Sequence, residues 1–511
     1  MAVDGAAAPK TRSNDRDAPA LPARVAIAAG LAAALCAGCT VGPDFERPAP
    51  PDAPGYQRQG AGAAARAPGA AAQVFRQDME VPARWWTGFG SAAVDGLVER
   101  AFERNPTLEA ARAALRQAHE STAAQAGAGL PQVQAGYAAS RAGNAVGTIA
   151  PTLSSGEPVY TLHTAQVSVG YAADVFGLNR RAVESLAAQE QSQRFQLEAA
   201  YLTLASNVVA AAIQQAALQA QQDATDDIIA SERRSLELLR AQARSGYASS
   251  LDVATQESAL AQAELALPPL RKALEQTRDL LAVLGGDAPA QGAAPQIELD
   301  SLKLPGELPL SVPSKLVEHR PDVRAAEALV HAASAEVGVA AASRLPQFAI
   351  SAVYGGTSTQ LGRLFAADDR FWSITGSVSH TVFDFGALKH RQASAEAALD
   401  RAVAQYRAVV LTAFQNVADS LYALQSDADA LAASNAAEAA ARRALDLTRR
   451  QLDAGAVNTL ALLGAQQGWQ QARIARVQAQ AARYADTVAL YQALGGAPVH
   501  AQGALARDGA P

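Results

Sequence analysis

Two periods divide this chain. Over 178–245, and again over 387–454, sixty-eight residues pass without a glycine or a proline. Both stretches are rich in Ala, Leu, Gln, Glu and Arg, the strong helix formers. In the second, apolar residues recur at Leu399, Val403, Tyr406, Val410, Phe414, Val417, Leu421 and Leu424. Steps of three and four lay one stripe along a helix, as in a coiled-coil seam. At 1.5 Å per residue each helix would run about 100 Å. That exceeds a globular core, and the polar faces exclude a lipid-spanning helix, so these helices must pack lengthwise on neighbours. Each stretch ends at a glycine, Gly246 or Gly455, suited to a left-handed C-terminal cap. Ser249, Ser250, Asn458 and Thr459 are good N-caps for returning helices over 249–284 and 458–494. Pro268-Pro269 should break or kink the first of these; the second has only Gly464 and Gly468.

Elsewhere the period is two. Val133, Ala135, Tyr137 and Ala139 alternate with small or polar residues, as do Val167, Val169 and Tyr171. Phe348, Ile350, Ala352 and Tyr354 behave likewise, and so do Trp372, Ile374 and Val378. The pattern predicts four strands, at about 131–143, 161–175, 346–355 and 371–384. It fits outer-membrane barrel strands, and equally a soluble hairpin lying on the helices.

The two halves are copies. Pro106 and Pro131 recur as Pro321 and Pro346, both shifted by 215 positions. Phe176-Gly177 and Gly246 recur as Phe385-Gly386 and Gly455, shifted by 209, and Leu284-Gly285-Gly286 as Leu494-Gly495-Gly496, shifted by 210. The expected organisation is a signal peptide over 1–38, a Pro/Gly/Ala-rich tether over 39–73, repeat one over 74–286, a linker over 287–313, repeat two over 314–496 and a tail over 497–511. If the four strands span a bilayer, the sheet must close, because an open edge in lipid leaves backbone groups unsatisfied. Four strands are too few, so the chain must oligomerise. Two copies give eight strands, filled by side chains; three give twelve and room for a pore.

Charge and cysteines narrow the function. The net charge is -6, without the basic cluster that phosphate contact needs, so nucleic acid is excluded as a partner. Cys36 and Cys39 are the only cysteines. No second pair completes a metal site. Val25 to Ala37 is an apolar run after Arg24, too short to span a bilayer and built like a secretory signal. Cys36-Ala37-Gly38-Cys39 resembles a bacterial lipobox, with Cys36 where Leu is common, and makes Cys39 the expected lipid (palmitate) acceptor. The seven histidines form no ligand pair at helical spacing, and there is no Walker loop or nucleophile elbow. His319 and His331 suit surface or packing roles, as Trp85-Trp86 suits packing, and Asp368-Asp369 suits an exposed loop. No cofactor, metal or catalytic residue is expected.

Longer motifs carry a resemblance. Cys39-Thr40-Val41-Gly42-Pro43-Asp44-Phe45 with Pro48 resembles the mature start of NodT-type outer-membrane efflux lipoproteins. Trp85-Trp86 with Phe89, Asn105-Pro106-Thr107-Leu108, Arg320 to Glu327, Gly246 to Val253 and Leu494-Gly495-Gly496 resemble the same family. The resemblance implies a TolC-like fold, mainly α with membrane β. It implies a homotrimer with a twelve-stranded barrel in the outer membrane and a long periplasmic α-helical barrel. It further implies an efflux role with a periplasmic adaptor and an inner-membrane pump of RND type. The hairpin tips, Gly246, Ser249, Ser250, Leu251, Gly455, Asn458, Thr459 and Leu460, would meet the adaptor. Relatives often carry an acid just after the second tip glycine; here Asp453, two residues before it, is the nearest and the candidate aperture acid. Two other functions fit the pattern: the outer-membrane duct of a type I protein-secretion system, and a lipid-anchored structural coiled coil without a pore.

Overall fold

The computed structural model describes residues 40–52, 55–56, 64–65, 73–77, 79–143, 159–292, 295–310 and 312–496. The expected signal segment 1–38, the expected acceptor Cys39, parts of the expected tether, the loop 144–158 and the tail 497–511 lie outside the described residues. The strands are β1 (Ala64–Ala65), β2 (Gln73–Gln77), β3 (Gln132–Gly143), β4 (Val159–Ala173), β5 (Glu307–Leu310), β6 (Gln347–Ser358) and β7 (Arg370–Ser379). The helices are α1 (Ala92–Arg104), α2 (Pro106–Ala128), α3 (Leu178–Arg244), α4 (Ser250–Leu284), α5 (Pro313–His319), α6 (Pro321–Ala342), α7 (Ala387–Asp453) and α8 (Thr459–Ala493).

Two compact units emerge. The first contains residues up to Gly42, Ala126–Arg181 and Gly338–His390. Its centre is an antiparallel sheet in the order β3-β4-β6-β7. Each repeat supplies one hairpin, and β4 joins β6 across the repeats, with Val167 opposite Tyr354 and Val169 opposite Ala352. The last strand stops at Ser379, short of the expected 384. Asp384 explains the stop: its carboxylate accepts from the backbone N–H of Gly386 at 2.9 Å and of Leu388 at 2.7 Å. That bond set starts α7 and takes the preceding residues out of the ladder. Between β6 and β7 the chain forms two short 3-10 turns, Leu361–Arg363 and Ala367–Asp369.

The second unit holds the helices and a small sheet, β1-β2-β5. Its core is drawn chiefly from the helices. From α7 it takes Tyr406, Val410, Ala413, Val417, Leu421 and Leu424; Leu399, Val403 and Phe414 pack beside them. From α3 it takes Val208, Val209, Ala212, Ile213 and Ala216, and from α8 Val477, Ala481, Tyr484, Val488 and Tyr491. One window of α3 is apolar enough to cross a membrane by length and composition, yet half of it is buried inside the chain.

The proline pair does not break its helix. α4 runs unbroken through Pro268 and Pro269. Both prolines and the preceding Glu264 and Leu265 are exposed. Water can therefore satisfy the carbonyls that lose their N–H partners, and the helix stays whole.

Candidate functional site: the sheet face and the helical turns

The four strands set their apolar residues in rows. Val133 faces Val169, Val169 faces Ala352, and Ala352 faces Ile374. The next row is Ala135, Val167, Tyr354 and Trp372. Alternation then puts Gln134, Ser168, Val353 and Ser373 on the opposite face. The apolar face is uncovered: Trp372 is 73%, Ile374 70% and Val133 68% exposed. Uncovered patches of this size mark contact with lipid or another protein. Within the sheet β3 and β7 each pair on one side only, so both outer edges keep unpaired backbone groups. Asp369, in the loop between β6 and β7, pairs with Arg363 at 3.6 Å, and Asp368 is exposed.

The motif after Cys39 fastens the start of the described chain. In the first unit, Val41 N–H donates to the Phe176 carbonyl at 3.2 Å, and a side chain at Gly42 would collide with Gly338. In the second unit, Phe45 stacks on His331 at 4.4 Å and Arg47 pairs with Glu327 at 2.9 Å. His331 Nε2 lies 3.0 Å from Glu184 Oε1. Phe45 and Arg47 thus both pack on α6, through His331 and Glu327.

The proline motifs hold the ends of the returning helices. Asn105 Nδ2 donates to the Leu284 carbonyl at 2.9 Å, while its Oδ1 accepts from Thr107 N–H at 2.8 Å. In repeat two, Arg320 does the work. Its Nη1 donates to the Ala493 carbonyl at 2.6 Å, and Nε and Nη2 grip Asp322 at 3.0 and 2.7 Å. Gly286 and Gly495, at φ +84° and +89°, let the chain turn against these motifs. Trp85 and Trp86 are buried, Trp85 stacked on Tyr491 at 5.2 Å.

The turns at Gly246 and Gly455 share one geometry, with φ at +76° and +71°. Tyr247 N–H donates to the Gln242 carbonyl and Ala456 N–H to that of Gln451, both at 2.8 Å; each glycine N–H bonds three residues back. These are Schellman caps. Ser249 Oγ accepts from Asp252 N–H at 3.1 Å, and Asp252 Oδ2 accepts from Ser249 N–H at 2.9 Å, a closed capping box. The Ser249 hydroxyl, donating to Asp252, holds that carboxyl below the usual range. Asn458 caps α8 alone, through Ala461 N–H at 3.0 Å. Ser249, Ser250, Leu251, Asp453 and Leu460 are exposed and Thr459 is half-buried. Tyr247, 87% exposed, was missed by the sequence reading; a large aromatic inside a glycine turn was the signal for it. Ser-x-x-Asp was likewise legible as a capping box.

Among the described residues no group of three His, Cys, Asp or Glu could hold a metal ion. His119 lies 3.1 Å from Glu190, and His163 contacts the Tyr137 hydroxyl at 2.8 Å.

An uncovered apolar sheet, two open edges and two 67-residue helices define a class, the TolC-like outer-membrane channel subunit. The chain belongs to the outer membrane efflux protein family, whose model matches residues 97–286 and again 312–496. The "Pyoverdine export outer membrane protein OpmQ" of Pseudomonas putida is 32% identical over 416 residues, 81% of this chain and 88% of that one. OprJ of Pseudomonas aeruginosa is 29% identical over 481 residues, 92% of this chain and 95% of its own. The solved outer-membrane channel OprN superposes with a TM-score of 0.80 at 26% identity, covering 90% of this chain and all of that one. Campylobacter jejuni CmeC, at 19% identity, shares the fold with a TM-score of 0.82 over 92% of this chain and 98% of its own. The protein is an outer-membrane channel component of an efflux system.

Proposed function

We propose that three copies close into one passive duct without catalytic chemistry. The carrying observation is the four-stranded sheet with its apolar face uncovered and both edges unpaired. Lipid covers the face, and each β7 edge pairs with the β3 edge of the next copy. Twelve strands leave a lumen lined by the small and polar face, where eight would fill with side chains. The lipid on Cys39 adds an anchor beside the barrel. The turns at Gly246 and Gly455 dock a periplasmic adaptor, which joins the duct to an inner-membrane pump of RND type. Relatives named for pyoverdine export and for toluene efflux support a small organic cargo, which favours efflux over protein secretion.

Cysteine pairs test closure. One cysteine in β3 and one in β7, stepped along the edges, should give a covalent ladder ending at three chains after oxidation in membranes. A ladder ending at two, or crosslinks confined to single chains, overturns the reading.

A further inference from the structure

The sheet already contains, inside one chain, the kind of junction that its two edges lack. β4 and β6 come from different repeats and pair with each other. The two hairpins are copies down to their register. Gln132 opposite Gly170 in the first becomes Gln347 opposite Ser379 in the second, and Arg141 opposite Thr161 becomes Gly356 opposite Arg370. The same shifts carry Pro131 to Pro346 and Phe176 to Phe385. β7 is therefore the copy of β4, and β3 the copy of β6. Applied to the β4–β6 rungs, the shifts fix how β7 would lie on β3 of a second chain. Val169 opposite Ala352 becomes Val378 opposite Tyr137; Ser168 opposite Val353 becomes Ser377 opposite Ala138. That register keeps Val378 and Tyr137 together on the apolar face and Ser377 and Ala138 together on the other. A slip of one residue would mix the faces.

Uncovered residues stand where their copies are covered. Phe176 packs on Phe348 with ring centroids 6.2 Å apart, and both are half-buried. Their copies are Phe385, 90% exposed, and Val133, 68% exposed. Leu345 is half-buried, while its copy Leu130 is exposed. With no such shelf in its own chain, Phe385 leans on Phe383 at 4.6 Å. Alone among the described non-glycine residues it takes a positive φ, +56°, a conformation rare for a bulky side chain. Rungs are missing at the same place. Tyr171 to Ala173 stay in the ladder through β6 alone, because the β3 pairing ends at Gly170. Their copies, His380 to Val382, lie beyond the end of β7.

We propose that the contact between copies repeats the β4–β6 junction rung for rung, with Phe385 of one copy seated on Val133 of the next as Phe176 is seated on Phe348. The occupant of the edge is a second copy of this chain, because β3 carries the matching shelf in the matching register. The proposal rests on the closed ring of the preceding section and adds the register and the aromatic seat. Pairing lengthens β7 to Val382 and takes Phe385 out of the left-handed region.

Oxidation of cysteine pairs in membranes reads the register. Ser377→Cys with Ala138→Cys and Gly376→Cys with Ala139→Cys are adjacent rungs, so one of the two is a closely spaced, non-hydrogen-bonded pair. At least one should yield a strong covalent band of three chains. Ser377→Cys with Gly136→Cys, or with Ser140→Cys, lies two residues off on the same face and should yield little. Bands from the shifted pairs and none from the matched pairs overturn this register and leave the closed ring standing. No bond between chains from any pair overturns both. The seat has its own readout. Phe385→Ser removes a side chain that touches little in its own chain, so the chain should still fold, but the oligomer should dissociate in detergent at a lower temperature. Val133→Phe, which restores the residue of the covered copy, should keep the oligomer at least as heat-resistant as wild type. An unchanged dissociation temperature in Phe385→Ser overturns the seat.

Discussion

Arg320 shows how a single residue carries a motif. It is 7% exposed, and its guanidinium donates to a helix end and to one carboxylate. Arg320→Ala strips the Ala493 carbonyl of its donor inside the core. The expected loss is about 2–3 kcal/mol, the worth of hydrogen bonds from a charged donor plus the orphaned group. Arg320→Lys should recover little, because an ammonium cannot grip Asp322 with two prongs while reaching Ala493. Denaturant melts of purified protein check both; a lysine variant as stable as wild type would mean that charge alone matters. The motif itself was legible as a string shared with a family. Its role was not, because its partner, at the end of α8, lies 173 residues away.

At the level of elements, the helices were legible and the pairing of strands was not. Period and composition mark α3 and α7 because a helix satisfies its own backbone and shows its packing stripe in one segment. A sheet satisfies its backbone elsewhere, so nothing in the alternation of β4 says that its second partner is β6 from the other repeat. Pro268-Pro269 leaves α4 unbroken for a related reason: the cost of a proline depends on whether water reaches the freed carbonyls, which sequence does not state. The rows across the sheet make a sharp prediction. Ile374→Lys, on the apolar face, should cost about 2–4 kcal/mol if it reaches the bilayer midplane. Ser377→Lys, three residues on and on the opposite face, should be tolerated. Heat-resistant oligomer in outer-membrane fractions is the measurement; equal tolerance at both sites would remove lipid from the apolar face.

For the whole molecule the question is how a passive duct is coupled to its pump. The family and the fold class were legible through motifs such as Cys39 to Phe45, Trp85-Trp86 and Arg320 to Glu327, and the duplication through five landmarks that recur in one order. The proposed coupling surface is the pair of turns. They share a Schellman cap and a returning helix that opens at an N-cap, and they differ in what they expose: Tyr247 and Leu251 in one, Leu460 in the other. A cap alone needs the glycine and the polar residue; it does not need exposed leucines at matched places. Leu251→Asp with Leu460→Asp removes apolar surface without touching either cap. Both sites are solvent-exposed, so the fold should lose no more than about 0.5 kcal/mol for each. Assembled protein should reach the outer membrane in normal amount while efflux falls to the level of a deletion. Cysteines at Ser249 or Asn458 should crosslink to the periplasmic adaptor when the pump is expressed, and should stop doing so in the double aspartate background. Normal drug export by the double variant, with normal assembly, would show that the turns only cap helices and that coupling lies elsewhere on the chain.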